Sequence, residues 1–492
     1  MTMVGAPQLG GNGGLIGPGQ LFVGGRWVPA ADGRTLPVLD PSTGREITTV
    51  AAGGAVDIDR AVTAARTAVN QGDWTGLTPR QRGRILLRVA DLLRSRVEEF
   101  ARLESRDVGK PLLFTTTVDV PTVIDTFEYY AALTAGIEGA TRATGFPALA
   151  YTRREPLGVV GAITPFNFPA ILSATKLAPA LAAGNAVVHK PAPETPLSAL
   201  LFAEVLAEAG VPDGIYNLVT GGADAGVALV EHPGVDKIAF TGSSATGRRV
   251  AAGAARTLKQ VTVELGGKGA NLIFADANLE AAIQTAVAGF VFNTGQFCMS
   301  GSRVLVERPV YETVVEALAG AATHVPVGDP FVEGTIVGPM AGPNHLSKVL
   351  GFLDQAATTP GVRVLGGGPA ASSEGFYVTP TVLADVAQGS SFVQDEIFGP
   401  VVTVQPFDTE QEAIELANGT LYGLSAGLQT SDVGRAHRVA AALNAGIVWV
   451  NGWSLLDPAM PFGGVGQSGY GRENGPEGLD GYLRTKSVIV AL

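Results

Sequence analysis

Cysteine is nearly absent from this chain, which has one, Cys298, among 492 residues. A single thiol excludes an internal disulfide, and one cysteine cannot form a metal cage. Scarce cysteine is typical of proteins in a reducing compartment, so we expect a cytoplasmic protein. Cys298 is then either a small buried hydrophobic residue, the commoner fate of a free cysteine, or a nucleophile. Composition alone favours the buried residue, and only the neighbouring sequence can reverse that choice.

Other absences exclude further classes of protein. No apolar run approaches the roughly 18 residues of a membrane span, and a net charge of −11 disfavours binding to nucleic acid or anionic membranes. Residues 1–20 contain no lysine or arginine, so we expect no signal peptide there, only a glycine-rich flexible tail. The five histidines show no metal-ligand spacing, and His189 is interpreted as a core residue at a strand end.

The residues that are present predict a large α/β protein. Apolar residues make up 46% of the chain, enough for several cores. Runs rich in β-branched residues alternate with runs rich in alanine and leucine, which indicates parallel sheets with connecting helices. Helices are expected at 80–100, 172–182, 197–209 and within 242–255, and strands at 158–163, 186–189, 215–219, 235–240, 270–274, 304–306, 401–407, 447–450 and 482–490.

Two segments that follow predicted strands contain groups suited to binding. Ligands bind beyond the carboxyl ends of strands in open parallel sheets. Residues 164–169 hold Asn167 between two aromatic residues in a turn with two prolines, where its amide can stabilise an oxyanion. Residues 240–247 form a strand, a glycine-rich turn and a helix start, which can hold a phosphate. Each segment taken alone is also compatible with an ordinary turn or helix cap.

Two further segments contain groups suited to catalysis. Residues 263–268 embed Glu264 among apolar residues and glycines, which should raise its pKa toward that of a general base. A capping or ion-paired glutamate is the ordinary alternative. Residues 292–298 contain Cys298, whose thiol would have to ionise to act as a nucleophile.

Taken together, these segments resemble the aldehyde dehydrogenase superfamily, in its non-acylating branch, from about residue 21 to residue 492. The family motifs occur in family order as Pro-Phe-Asn-Phe-Pro at 165–169, Lys-Pro at 190–191, Phe-Thr-Gly-Ser at 240–243, Glu-Leu-Gly-Gly-Lys at 264–268, Gly-Gln-Phe-Cys at 295–298, Glu-Ile-Phe-Gly-Pro at 396–400 and Pro-Phe-Gly-Gly at 461–464. No single motif decides the matter, but their ordered occurrence by chance is negligible.

The resemblance implies roles for five catalytic residues. Cys298 resembles the nucleophile that forms a thiohemiacetal and then a thioester. Asn167, with the Cys298 backbone N–H, resembles the oxyanion hole. Glu264 resembles the base that activates water for hydrolysis, and its presence argues against the branch that passes the thioester to coenzyme A. Lys176 and Glu473 match a pair that relays the proton outward.

The resemblance also implies NAD as cofactor. The residues expected to bind it are Thr164, Pro165, Phe166, Lys190, Pro193, Glu194, Gly242, Ser243, Gly247, Leu265, Gly266, Glu396 and Phe398. Lys190 is expected at the adenosine ribose, and Glu396 and Phe398 at the nicotinamide ribose and ring. Many NAD-preferring members have glutamate three residues after this lysine, whereas this chain has Pro193 there and Glu194 one residue later. We therefore expect use of NAD with weaker exclusion of NADP.

The substrate pocket is expected to be mostly apolar. Its predicted residues are Phe168, Phe297, Met299, Trp453, Leu455 and Leu456. Such a lining suits a neutral aromatic or medium-chain aldehyde, and the segment around Trp453 resembles members that act on aryl or arylalkyl aldehydes. Any one of these aromatic residues could equally belong to a core.

The domain organisation follows from the same resemblance. It implies a Rossmann-like cofactor domain at 21–135 and 156–264, and an α/β catalytic domain at 265–471. A β arm, formed by 136–155 and 472–492, would pair subunits into a homodimer or homotetramer. Two other functions remain open at this stage: a cofactor-independent cysteine esterase or thioesterase, and a non-catalytic dinucleotide-binding protein.

Overall fold

The computed structural model describes residues 8–9, 15–16, 19–367 and 374–492. The flexible tail predicted over residues 1–20 falls largely outside the described residues. Within that stretch, β1 (Gln8–Leu9) and β2 (Leu15–Ile16) pair as short antiparallel strands. None of the described helices is both long and apolar enough to cross a membrane.

The remaining described strands are numbered in chain order. They are β3 (Leu21–Val23), β4 (Arg26–Val28), β5 (Thr35–Leu39), β6 (Glu46–Ala51), β7 (Thr141–Arg142), β8 (Ala148–Pro156), β9 (Val159–Ile163), β10 (Ala186–Lys190), β11 (Tyr216–Leu218), β12 (Lys237–Thr241), β13 (Gln260–Glu264), β14 (Ala270–Ile273), β15 (Arg303–Glu307), β16 (Arg363–Gly366), β17 (Thr381–Ala384), β18 (Val401–Phe407), β19 (Ser425–Gln429), β20 (Ile447–Val450), β21 (Gly469–Tyr470) and β22 (Leu483–Ala491).

The described helices are numbered in the same way. They are α1 (Ala55–Gln71), α2 (Pro79–Ser95), α3 (Val97–Val108), α4 (Leu112–Phe114), α5 (Val120–Leu133), α6 (Pro169–Ala183), α7 (Leu197–Ala209), α8 (Ala223–Glu231), α9 (Ser244–Ala255), α10 (Leu279–Val291), α11 (Tyr311–His324), α12 (Pro343–Thr358), α13 (Ser391–Gln394), α14 (Glu410–Asn418), α15 (Val433–Ala442) and α16 (Gly475–Asp480). A π-helical turn, Thr115–Asp119, joins α4 to α5.

An eight-stranded sheet organises the first half of the chain. Its order is β21-β13-β12-β9-β10-β11-β3-β4, and the five strands from β13 to β11 run parallel. Helices α1, α8 and α9 pack on the sheet, with α8 between the other two. Helices α6 and α7 also pack on the sheet, and α2 and α5 pack on them in turn. Because both faces are covered, every residue of β9 and β12 is buried.

A seven-stranded sheet organises the second half. Its order is β16-β17-β18-β15-β14-β19-β20, and only β16 runs antiparallel. Side chains of β15 alternate between two cores, since Val304 and Val306 face the core under α10 and α11, whereas Leu305 faces the core under α14 and α15. This alternation is the ordinary period of a strand and explains why the three middle residues of β15, residues 304–306, are all apolar.

A third sheet joins distant parts of the chain. Strand β22 pairs antiparallel with β8 along its whole length, and β7 pairs with the other edge of β8. These strands fall mostly in the segments predicted to form an arm. The division into domains stays a prediction, and β21 lies in the segment assigned to the catalytic domain although it adds to the eight-stranded sheet.

The structure corrects one helix and extends another. The single helix predicted over 80–100 is wrong in its continuity, because Arg96 adopts φ −118° and ψ 22° between α2 and α3. Its guanidinium donates to Glu99 of α3 and to Glu204 of α7, and these contacts stabilise the break between α2 and α3. The helix predicted to begin at 172 begins at Pro169, a residue that favours the first helical position.

Candidate active site

Cys298 lies where two cavities meet, and the residue is half-buried. We call the first the sheet-end cleft; it has a volume of about 140 Å³ and is lined by Pro165, Phe166, Asn167, Thr241, Gly242, Ser243, Leu265, Gly266, Cys298, His345, Lys348, Glu396, Ile397 and Phe398. We call the second the apolar cavity; it has a volume of about 570 Å³ and is lined by Val118, Thr122, Phe168, Ile171, Leu172, Thr175, Gln284, Thr285, Ala288, Gly289, Phe292, Phe297, Cys298, Met299, Trp453, Ser454, Leu456, Phe462, Glu473 and Asn474.

A tight turn after α10 carries Cys298 to this junction. Asn293, Thr294 and Gly295 all have positive φ, at 49°, 57° and 68°. A Cβ on Gly295 would lie 2.1 Å from the Gly399 carbonyl oxygen, so this position requires glycine. The turn therefore packs directly against the 396–400 segment, and it stores backbone strain of the kind that recurs at functional sites.

The surroundings of the sulfur keep it protonated at rest. Burial raises the pKa of the Cys298 thiol well above its usual range, and the carboxylates of Glu396 and Glu264 raise it further. The backbone N–H groups of Met299 and Cys298 act in the opposite direction. A thiol in this setting would have to lose its proton in order to attack a carbonyl.

Asn167 is tied to the same turn at both ends. Its side-chain Nδ2 donates to the Gln296 carbonyl at 2.9 Å, and its own carbonyl accepts from Asn293 Nδ2 at 2.8 Å. An amide nitrogen carries two hydrogens, so one remains for a ligand. Asn167 and Cys298 thus line one cleft as parts of one hydrogen-bonded unit.

Glu264 ends β13 and is buried behind the two cavities rather than in their linings. Neither carboxyl oxygen has a hydrogen-bond partner among the described residues. Burial first, and the neighbouring Glu473 second, raise the pKa of Glu264 well above its usual range. Lys176 and the Gly464 N–H lower it, the latter without forming a hydrogen bond of normal geometry.

Lys176 and Glu473 form a buried ion pair beside Glu264. Lys176 Nζ lies 2.5 Å from Glu473 Oε1 and also donates to Thr241 Oγ1 at 2.6 Å. Thr175 Oγ1 donates to the other carboxylate oxygen at 3.0 Å. Since Thr241 lines the sheet-end cleft and Glu473 lines the apolar cavity, the pair connects the walls of both.

The turn from β12 into α9 forms one end of the sheet-end cleft. Ser243 caps α9, its Oγ accepting from the Thr246 N–H at 3.3 Å. A Cβ on Gly247 would lie 2.3 Å from a Leu265 methyl, so glycine allows α9 to pack closely against that residue. Gly242, Ser243, Leu265 and Gly266, all predicted to bind the cofactor, line the cleft, while Gly247 packs against Leu265 and is not part of the lining.

Lys190 lies outside the lining of the cleft, at the carboxyl end of β10. Its Nζ donates to the carbonyls of Pro191 at 2.7 Å and Gly221 at 3.0 Å, which leaves one N–H. Burial lowers the pKa of Lys190 to about 8, and nearby Glu194 opposes that shift. The structure also places Thr164, Pro193 and Glu194 outside the lining.

The 396–400 segment forms the opposite wall. Glu396 Oε1 accepts from the Gly267 N–H at 2.9 Å, and burial raises the pKa of this carboxyl. Phe398 adopts φ 64° and packs edge-on against Phe166 at 5.8 Å between ring centroids. Both residues line the sheet-end cleft beside Cys298.

Five of the six residues predicted for a substrate pocket line the apolar cavity, namely Phe168, Phe297, Met299, Trp453 and Leu456. The sixth, Leu455, is 70% exposed and is not part of the lining, so its place in a substrate pocket stays a prediction. The Leu455 carbonyl accepts from Trp449 Nε1 at 2.9 Å, a bond that holds this part of the loop at the surface.

Comparison with known proteins decides the family. The sequence profile of the aldehyde dehydrogenase family matches residues 27–488. The chain belongs to the aldehyde dehydrogenase family. DhaS of Bacillus subtilis (strain 168) is 43% identical over 479 residues, or 97% of each chain. An aldehyde dehydrogenase from Bacillus cereus, solved as its NAD+ complex, is 43% identical with a TM-score of 0.94 over 96% of each chain. A betaine aldehyde dehydrogenase from Staphylococcus aureus, solved with NAD+, is 36% identical with a TM-score of 0.94 over 96% of this chain and 94% of the other.

These relationships confirm the fold and the class of enzyme expected from the motifs. The protein is an aldehyde dehydrogenase with the α/β fold of that family. The two alternatives, a cofactor-independent esterase and a non-catalytic binding protein, receive no support from the family assignment.

Several residues of this aldehyde dehydrogenase site were missed from the sequence. His345 stacks on Phe166 with 3.9 Å between ring centroids, and Lys348 donates to the Glu396 carbonyl at 2.7 Å. Both come from α12, which no motif marks. In contrast, Phe292 and Asn474 adjoin predicted site segments, so proximity in sequence was a usable signal for them.

Within the described residues, no group of three or more histidine, cysteine, aspartate or glutamate side chains could hold a metal ion. His189 lies fully buried in β10, and its Nδ1 is 2.9 Å from the Tyr216 hydroxyl. Burial lowers the pKa of His189 to about 3, so it is a neutral core residue, as the sequence indicated.

Proposed function

We propose that this aldehyde dehydrogenase oxidises a neutral aromatic or medium-chain aldehyde to the carboxylic acid, with NAD as hydride acceptor and Cys298 as nucleophile. The position of Cys298 carries the proposal, because the residue lines both the sheet-end cleft and the apolar cavity. A carbonyl carbon bonded to its sulfur would face a cofactor on one side while its apolar substituent occupied the other.

The residues around the sheet-end cleft fit a dinucleotide. The first N–H groups of α9 suit a diphosphate, the remaining Lys190 N–H suits a ribose hydroxyl, and Glu396 offers a buried carboxylate to the second ribose. NAD bound there would supply the acceptor for the hydride that leaves the substrate carbon. The two relatives solved with NAD+ support this assignment. With Pro193 in place of a glutamate, exclusion of NADP should be weak.

The first chemical step forms a bond between the Cys298 sulfur and the aldehyde carbon, while the S–H proton passes to water and the π bond of the carbonyl breaks. Negative charge then develops on the carbonyl oxygen. The free side-chain N–H of Asn167 and the backbone N–H of Cys298 can donate hydrogen bonds to this oxygen and stabilise the charge. Covalent capture holds the substrate in place, so that loss of hydride yields a thioester on the same sulfur.

The second step releases the acid. Glu264 removes a proton from water, the resulting hydroxide attacks the thioester carbon, and the carbon–sulfur bond breaks to restore Cys298. Because burial raises its pKa, Glu264 is a stronger base than an exposed glutamate. The adjoining Lys176–Glu473 pair can pass the proton onward.

The lining of the apolar cavity supports a neutral substrate. Among the described lining residues, Glu473 carries the sole formal charge, and Lys176 neutralises it. A substrate carboxylate would therefore find no cation and would lose hydration on entry. The rings of Phe168, Phe297 and Trp453 instead offer flat apolar surface.

We further propose that the sheet of β7, β8 and β22 pairs subunits into a homodimer or homotetramer. Leu149 on the middle strand β8, and Ile489 and Val490 on the long edge strand β22, are exposed apolar residues. Such edges are normally covered in stable proteins, and a second copy of the chain can cover them.

A panel of aldehydes assayed with NAD and with NADP tests the proposal. The kcat/KM, measured from the absorbance of reduced nicotinamide, should be highest for neutral aryl or medium-chain aldehydes. It should be lower for carboxylate-bearing aldehydes of matched length. NAD should be preferred by less than roughly a thousandfold in kcat/KM, about 4 kcal/mol. Preference for a carboxylate-bearing aldehyde would overturn the substrate class, and ester hydrolysis with no aldehyde oxidation would overturn the reaction.

A further inference from the structure

A buried lysine lies against the ring that follows Asn167. Lys110 Nζ is 3.7 Å from the centroid of the Phe168 ring, and Lys110 is 1% exposed. Phe168 comes directly after Asn167 and lines the apolar cavity. A cation over the face of an aromatic ring is attracted by the ring's negative face, most strongly where water is excluded. Neither the cleft nor the cavity is lined by Lys110, so it has no part in the steps described above.

Lys110 is itself held in place by a carboxylate. Asp119, the last residue of the π-helical turn, forms an ion pair with its Nζ, and both side chains are fully buried. The residue before it, Val118, lines the apolar cavity. Asp119 and Phe168 thus hold one ammonium group between them, and this group connects two parts of the cavity wall.

The Phe168 ring is also packed against the nucleophile's own segment. Its centroid lies 5.9 Å from that of Phe292 and 5.2 Å from that of Phe297, the residue before Cys298. Two residues after Phe168 in the sequence, the Ala170 N–H donates to the Glu104 carboxylate at 3.0 Å. Because Phe168 lies between Asn167 and the first residue of α6, the orientation of its ring is coupled to the conformation of the backbone at Asn167.

We infer that Lys110 is a positioning residue of the aldehyde oxidation, which sets the orientation of Phe168 and through it the direction of the Asn167 amide toward the developing oxyanion. An apolar side chain of equal volume could fill the space but would not favour one orientation of the ring face. The inference rests on the proposed role of Asn167. It predicts that loss of Lys110 matters only while the Asn167 amide is present.

A double-mutant cycle tests this coupling. The readouts are KM and the first-turnover rate of reduced nicotinamide formation, for Lys110→Met, Asn167→Ala and the double variant. Asn167→Ala should slow the first turnover by about 100- to 1000-fold. Lys110→Met should slow it about 10-fold, with KM changed less than about twofold, because it misplaces a donor without removing it. In the Asn167→Ala background, Lys110→Met should slow it by less than about twofold further.

The chain offers a matched control for the loss of such an interaction. Arg435 is paired with Asp276 at 2.8 Å, and its guanidinium carbon lies 4.5 Å from the centroid of the Phe274 ring. None of these three residues lines the cleft or the cavity. Arg435→Met should leave the first-turnover rate unchanged. Lys110→Met alone leaves the buried Asp119 carboxylate without its partner. The double variant Lys110→Met/Asp119→Leu avoids this and should slow the first turnover to the same extent as Lys110→Met.

The outcomes separate the inference from the proposed function. Additive losses in the double variant, or an equal loss in Arg435→Met, would show that Lys110 supports the fold without directing Asn167. A normal rate in Asn167→Ala would overturn the oxyanion role of Asn167 and the inference with it. A large loss in Asn167→Ala, with Lys110→Met at the wild-type rate, would overturn the inference alone.

Discussion

Burial affects the Cys298 thiol and the Glu264 carboxyl in the same direction. Each pKa is raised, because the low-dielectric interior disfavours the charged form, and the carboxylates around them add to the effect. If Glu264 is the general base, as proposed, its raised pKa means greater basicity but a smaller ionised fraction at low pH. The rate of hydrolysis should therefore depend on pH through Glu264.

Glu264→Gln should produce a burst of one reduced nicotinamide per site and then stall at the thioester. The variant keeps the size of the side chain but cannot accept a proton from water. In the wild type, thioester hydrolysis should accelerate as pH rises through the raised pKa of Glu264, since only the ionised carboxylate acts as the base. Stopped-flow absorbance measures the burst, and mass spectrometry of quenched protein locates the acyl group on Cys298.

Cys298→Ala serves as the control for that burst, because it should bind the cofactor yet form no reduced nicotinamide. Steady turnover by Glu264→Gln at the wild-type rate, with the same pH profile, would assign the base to another residue.

At the scale of elements, rigid strands and helices carry a strained turn. Strands β9, β12 and β13 end at one edge of the eight-stranded sheet, which brings Asn167, Gly242 and Glu264 near one another. The thiol comes instead from the turn between α10 and β15, at the start of the other sheet. Its three consecutive left-handed residues fit only because the 396–400 segment packs against them.

Gly295→Ala should destabilise the protein and remove the first-turnover burst. The added methyl would meet the Gly399 carbonyl and would require an unfavourable φ, at a cost of about 1–3 kcal/mol or more. Gly351→Ala, in the middle of α12 with open space at its Cβ, is the matched control and should stabilise by about 0.5–1 kcal/mol. Thermal unfolding and burst kinetics measure both. A Gly295→Ala protein with the wild-type Tm and burst would contradict the strained turn.

At the scale of the whole molecule, the three-stranded sheet is built from parts of the chain far apart in sequence. Strand β22 holds the carboxyl-terminal segment against β8, and exposed apolar side chains remain on their surface. In a chain with a net charge of −11, such a surface is unusual unless another apolar surface covers it.

Ile489→Lys should therefore weaken subunit assembly, because it would bury a charge in an apolar contact. Ile489 is 59% exposed in the single chain, and Val56 on α1 is 58% exposed, so Val56→Lys is a control of equal chemistry away from the arm. Sedimentation velocity at several concentrations should show a smaller species for Ile489→Lys alone. A wild-type protein that sediments as a monomer would refute assembly through this sheet.

Features that depend on neighbouring residues were predictable from the sequence. Gly210 ends α7 where expected, and β18 and β20 match their predicted bounds, because apolar periodicity and glycine act locally. The seven ordered motifs, among them those around Glu264 and Cys298, pointed to the family for the same reason, since each is contiguous in sequence.

Only the tertiary structure decided which distant residues meet. It places His345 on Phe166, sets Lys110 beneath Phe168 and leaves Leu455 at the surface. Each outcome depends on how two elements pack after the chain has returned from far away, and no local pattern of residues encodes that packing. The sequence by itself therefore determined the chemical groups and the elements that carry them. The packing of the sheets and helices determined their distances, their burial and so their pKa values, because these arise from contacts across the fold.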